Sequence, residues 1–241
     1  MKFLLVAGAA ALALAACDQG ATDQSAQAAP GQAAGAVKAA PPAGTNYLEQ
    51  FAETPEGGVR IGNPNAPVKL VEYLSLTCPA CARFSQEGTE PLRRYVERGD
   101  VSWEIRNYVL NGLDASAVLL ARCGGPGPFF AITEQLYATQ PEWIGRAQSN
   151  QAQIEAAPPN GVVAAYASAA GLDSFVRVRG VPAERAAQCL DDQAALQRIE
   201  ANNRRASDEG VTGTPTFLVN GEKANVITWP ELQPLIDAEL K

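Results

Sequence analysis

Seven residues, Val68-Lys69-Leu70-Val71-Glu72-Tyr73-Leu74, are rich in β-branched and other apolar side chains, and Cys78-Pro79-Ala80-Cys81 follows after a three-residue connection, Ser75 to Thr77. The apolar run reads as a buried strand. Pro79 opens a helix, because its fixed φ suits the first helical turn and its missing N–H leaves no donor unpaired there. The two cysteines are thereby pinned to a strand-to-helix junction. Cys78 sits where free backbone amides and the positive end of the helix dipole favour a thiolate. Cys81 lies one turn inside, close enough to close a ring and better buried, as a resolving thiol should be. On the residues alone, the pair also fits an inert disulfide or half of a four-thiolate zinc site completed by Cys123 and Cys189.

The rest of the chain arranges itself around that junction. Val59 to Gly62 reads as a short strand, followed by a turn over 63–67. The helix opened by Pro79 should reach about Arg98, burying Phe84, Leu92, Tyr95 and Val96, with Gly88 and Pro91 kinking or splitting it. Val101 to Val109 reads as a second long strand. From about 113 to 207 the pattern is helical and Ala-rich, broken at Gly124-Gly125-Pro126, Pro158-Pro159 and Gly180. A strand over Thr214 to Val219 then meets a hairpin turn at Asn220-Gly221. A short strand near Ala224–Ile227 follows, and Thr228 caps a last helix that carries Pro230 in its first turn and runs to about Leu240. The order is βαβ, a helical block, then ββα, which makes an α/β molecule with one mixed sheet.

The 241 residues include no histidine. That excludes imidazole-ligated metals, Cys-His and Ser-His catalysis and imidazole pH switching. With 19 basic and 26 acidic residues the net charge is −7, the wrong sign for a general nucleic-acid binder. Residues 1–16 carry one lysine and an apolar stretch, too short to span a bilayer at ~20 residues, so they read as a signal peptide. Leu14-Ala15-Ala16-Cys17 resembles a bacterial lipobox, which implies lipidation at Cys17 and anchoring to a membrane by that lipid. Asp18 weakly resembles an inner-membrane retention signal. Residues 17–46 are rich in Ala, Gln, Gly and Pro and read as a disordered tether with a reach of about 30 Å. The folded domain is expected over 47–241. With Cys17 lipidated, four cysteines remain for an exported, oxidising setting.

Together these residues resemble the thioredoxin-fold family, and within it the DsbA-like oxidoreductases of the bacterial periplasm. Cys78-Pro79-Ala80-Cys81 has the family's spacing after a strand, and Gly213-Thr214-Pro215-Thr216-Phe217 resembles its cis-proline loop. Glu72 occupies the place of its buried acid, and the block over 113–207 matches the DsbA-type helical insertion. The resemblance implies catalytic Cys78 as nucleophile and Cys81 as resolving thiol, with Glu72 exchanging a proton. It implies a substrate-binding loop at Thr214 and Pro215, where an extended segment pairs with backbone. It also implies a structural disulfide between Cys123 and Cys189, the other reading being two buried free thiols. A trans Pro215 on an edge strand and an exposed Glu72 are the plain readings of those residues.

Ala80 departs from the His found at this place in strongly oxidising relatives, and should leave Cys78 less acidic and its disulfide less oxidising. Arg83 could replace part of that charge. The expected function is a tethered, periplasm-facing dithiol oxidase, with a thiol–disulfide reductase or isomerase as the alternative. A non-catalytic adaptor or a copper chaperone is the rival from another class. The resemblance implies no cofactor and no metal. It implies exported cysteine-containing substrates and a membrane redox partner of DsbB-like or DsbD-like kind.

Overall fold

The structure, a computed structural model, describes residues 44–241. The expected signal peptide, Cys17 and the tether up to residue 43 lie outside the described residues.

Six strands form one sheet: β1 (Phe51–Glu53), β2 (Val59–Ile61), β3 (Val68–Leu74), β4 (Val101–Asn107), β5 (Thr216–Val219) and β6 (Glu222–Ala224), in the order β1-β2-β4-β3-β5-β6. Only β3 and β4 run parallel, paired from Val68 with Val101 to Leu74 with Asn107. Parallel neighbours need a crossover, and α1 (Pro79–Glu97) supplies it. The other pairs are antiparallel.

β3 lies in the middle, and its alternation explains its composition. Val68, Leu70 and Leu74 enter the main core with Phe84 of α1, Trp103 of β4 and Phe217 of β5. Tyr73 points the other way, into a smaller cluster with Ala206 and Val211. Glu72 shares the main-core face, and that parity buries a carboxylate.

Eight helices follow β4: α2 (Gly112–Arg122), α3 (Pro126–Ala138), α4 (Gln140–Ser149), α5 (Gln151–Glu155), α6 (Val162–Ala170), α7 (Leu172–Arg177), α8 (Ala183–Leu190) and α9 (Gln193–Asp208). The chain then returns through β5 and β6 to α10 (Trp229–Glu239). Among the described residues no helix is long and apolar enough to cross a membrane.

Two local expectations need correction, and one strand was not foreseen. α1 is not split: it runs unbroken through Gly88 and Pro91. Pro91 deprives the Glu87 carbonyl of its helical donor, but Glu87 is exposed and water can serve there. Gly88 is a packing residue, since a Cβ there would come within 3.1 Å of the Phe84 ring and 3.2 Å of Trp229. The last strand lies at Glu222–Ala224 rather than 224–227, because the Asn220-Gly221 turn pairs Val219 directly with Glu222. Finally, β1 extends the sheet beyond β2 with three residues too short to show a period.

Candidate active site

Cys78 is the N-cap of α1, with extended backbone at φ −81° and ψ 120°. The Cys81 amide donates to its Sγ at 3.5 Å. No acidic residue in the first turn opposes the helix dipole. The peptide bond between Thr214 and Pro215 is cis. The Thr214 carbonyl faces the nucleophile position and accepts from the Cys78 thiol at 3.2 Å. Both cysteines are free thiols; Cys78 retains 7% exposure and Cys81 none.

These surroundings push the two thiols apart. Cys78 is held down at about 5, chiefly because the Cys81 S–H donates to its sulfur. Burial works against this, while the Thr214 side chain and the Cys81 and Ala80 amides add to it. The Thr214 hydroxyl is buried and has no other partner in the reduced state described. It can therefore turn toward a thiolate at Cys78. Burial pushes the Cys81 thiol far up, and its hydrogen bond to Cys78 and the nearby charges of Cys78 and Glu72 push it further. One sulfur is thus ready to attack at neutral pH and its neighbour keeps its proton. Arg83 is exposed, and the donors that lower Cys78 include the backbone of Ala80 rather than any side chain there.

Glu72 retains 2% exposure and accepts from the Trp103 indole N–H at 3.0 Å. Burial lifts its carboxyl to about 8, against the pull of that bond. It lines a small cavity of about 10 Å³ with Trp103, Thr133 and Tyr137. No described hydrogen bond joins Glu72 to Cys81; the two interact through the field of the buried site.

The loop that delivers Cys78 is held from outside the sheet. Asp114 on α2 accepts from the Leu76 amide at 2.9 Å, the Ser75 hydroxyl at 2.6 Å and the Leu110 amide at 3.0 Å. Burial lifts its carboxyl to about 6, and those donors resist the rise. Tyr137 donates to the Ser75 carbonyl at 2.9 Å. Gln140 donates to the carbonyls of Leu76 and Cys78 at 2.7 and 3.0 Å. Sequence reasoning missed all three. Their partners in the Ser75–Cys78 loop lie 38 to 64 residues away, and no local pattern marks a helical Asp, Tyr or Gln as a loop anchor.

Cys123 and Cys189 are joined to each other, Cα to Cα 5.9 Å, linking the end of α2 to α8. Their sulfurs are therefore not free to complete a thiolate site with Cys78 and Cys81. The arrangement as a whole can carry out thiol–disulfide exchange: an acidic sulfur at a helix start, a second, buried sulfur behind it and the half-buried Thr214 backbone opposite.

Comparisons with known proteins agree in direction. A family model described as Thioredoxin matches residues 54–238. A Rickettsia felis protein named "Putative protein-disulfide oxidoreductase" is 28% identical over 75% of this chain and 59% of its own length. The chain thus spans about three fifths of that relative. The crystal structure of a protein-disulfide isomerase from Novosphingobium aromaticivorans superposes with a TM-score of 0.70 at 29% identity, covering 76% of this chain and 96% of that one. Wolbachia pipientis alpha-DsbA1 shares the fold at a TM-score of 0.63 and 18% identity, covering 78% and 92%. The architecture, a central mixed sheet with a large helical insertion, is the DsbA-type thioredoxin fold.

Proposed function

The chain belongs to the thioredoxin family, and on that premise we propose that it is a protein thiol–disulfide oxidoreductase working through Cys78 and Cys81 as a dithiol oxidase. One observation carries the direction: Cys78 at the start of α1 is held at about 5. A stabilised thiolate favours the reduced dithiol, which makes the corresponding disulfide a better oxidant.

In the oxidising half-cycle a substrate thiolate attacks Cys78 Sγ of the Cys78–Cys81 disulfide. The S–S bond breaks and its electron pair goes to Cys81 Sγ, which takes up a proton. Glu72 is the buried acid suited to supply it, since its carboxyl is still protonated at neutral pH. A second substrate thiolate attacks the substrate sulfur of the mixed disulfide, and Cys78 leaves as the thiolate. The substrate loses two electrons and the enzyme gains them. The backbone of Thr214 before Pro215 pairs with the substrate segment beside the exchanging sulfur.

The cycle needs an electron acceptor for the reduced enzyme. A DsbB-like, quinone-linked membrane protein fits that role, and a DsbD-like donor would fit the reverse direction. The lipobox-like Cys17 supports a lipid-tethered, periplasm-facing enzyme acting on exported proteins with cysteines.

A reductase or isomerase is the second reading, favoured by the isomerase name of the Novosphingobium structure. Equilibration of the full chain with glutathione separates the readings. A potential of about −120 to −180 mV is expected for the oxidase, and recovery of activity from a scrambled disulfide substrate would then identify an isomerase. A value of about −200 to −270 mV would make the protein a reductase. One below about −300 mV would mark the pair as structural and overturn the enzymatic reading.

A further inference from the structure

A cleft of about 490 Å³ opens between the β1–β2 turn, the end of β4 and helices α2, α8 and α9. It shares no lining residue with the Cys78 site. Its size falls within the range of roughly 300 to 1,000 Å³ typical of small-molecule sites.

Its chemistry is unlike the rest of the chain. Arg122, Arg185, Arg198 and Arg205 line it against only Glu53 and Asp192, in a chain of net charge −7. Asp192 is already engaged, accepting from the Ala195 amide as the N-cap of α9 and lying 3.6 Å from Arg198. Arg122 is fixed at the inner wall: its Nε donates to Asn107 Oδ1 and its Nη2 to the Gly57 carbonyl, each at 2.8 Å. Burial makes the protonated form of Arg122 costlier; the charge of Glu53 offsets part of this, and that of Arg198 adds to the cost. Two cations therefore face the same space. Asn107 is 3% exposed, lines the cleft, and its Nδ2 has no partner. A buried amide donor with nothing to donate to is costly. An acceptor carrying negative charge would satisfy it and relieve the crowding of the arginines.

We propose that this cleft is a second binding site, taking a small organic oxyanion of the carboxylate or phosphate-ester class. The oxyanion meets Asn107 Nδ2 and Arg122 at the inner wall, and the exposed Arg198 and Arg205 close over it from α9. Bidentate guanidinium contacts suit both oxyanions.

Calorimetric titration of the full chain with citrate, and separately with glycerol 3-phosphate, tests this against sodium chloride at matched ionic strength. The expected result is saturable binding at one equivalent by at least one probe. It should weaken at least tenfold in the double variant Arg198→Glu, Arg205→Glu, with the Cys78–Cys81 potential unchanged. Both arginines are exposed, so folding should survive; Asn107→Leu tests the inner wall in the same way. Binding of citrate alone assigns carboxylates, of glycerol 3-phosphate alone phosphate esters, and of both a site that reads only the oxyanion. Heats that fail to saturate or match sodium chloride, or binding unchanged in the α9 double variant, overturn the proposal.

Discussion

Cys78 draws its acidity from groups that residue 80 does not choose. The Cys81 thiol is the strongest donor, and the backbone amides of Ala80 and Cys81 would be present with any side chain at position 80. This is why Cys78 is still acidic beside Ala80: the neighbouring thiol, Thr214 and the backbone amides lower it without a cationic side chain. Thiolate absorbance of the reduced protein near 240 nm should titrate with a midpoint near pH 5, and Thr214→Val should move it toward the ordinary thiol range. The sign of the linked stability follows from the direction of the shift. A thiol near 8.5 when unfolded and about 5 when folded stabilises the reduced protein fully above the unfolded value. That gain is lost as pH falls through 5. The oxidised protein has no such thiol. The stability of the reduced form minus that of the oxidised form should therefore rise from pH 5 to pH 8, measured by urea unfolding. A flat difference over that range would remove Cys78 as the acidic group.

At the level of elements, the loop from Ser75 to Cys78 has no regular structure of its own and borrows its shape from the helices after β4. Asn111 shows how closely the two are joined. As N-cap of α2 its Oδ1 accepts from the Asp114 amide at 2.9 Å, while its Nδ2 donates to Thr77 Oγ1 at 3.0 Å. Asn111→Ala should cost about 1 kcal/mol by denaturant titration, the ordinary value of a lost cap. It should also shift the Cys78 midpoint, because Asp114 and Thr77 move together; a stability loss with an unmoved midpoint would confine Asn111 to capping. The long elements β3, α1 and α10 were legible because period, proline and cap residues agreed. Of the kink or split expected in α1, the split does not occur, because the bond that Pro91 removes is at Glu87, an exposed residue where water can serve. β1 and the true place of β6 were illegible because three residues carry no period, and register came from pairing.

Across the whole molecule, the Cys123–Cys189 link closes a stretch of chain with sequence separation 66 inside the helical insertion, the part that holds the Cys78 loop. Cys123→Ser with Cys189→Ser should lower stability by up to ~4 kcal/mol on the chain-entropy account, measured by urea unfolding. Exchange by Cys78 should survive wherever the fold does. An unchanged midpoint of unfolding would mean that the insertion is held by its packing alone. The sequence by itself determined the strand-to-helix junction, the placement of Cys78 at a helix start and the order βαβ, helices, ββα. Each of these is a local matter of period, proline and capping. Tertiary structure alone decided that Asp114, Tyr137 and Gln140 hold the Cys78 loop, that the Trp103 indole is the partner of the buried Glu72, and that Asn107 and four arginines share one cleft. Such groups meet only when distant segments fold together, and the burial that shifts Glu72 and Cys81 is a property of the packed interior rather than of any stretch of chain.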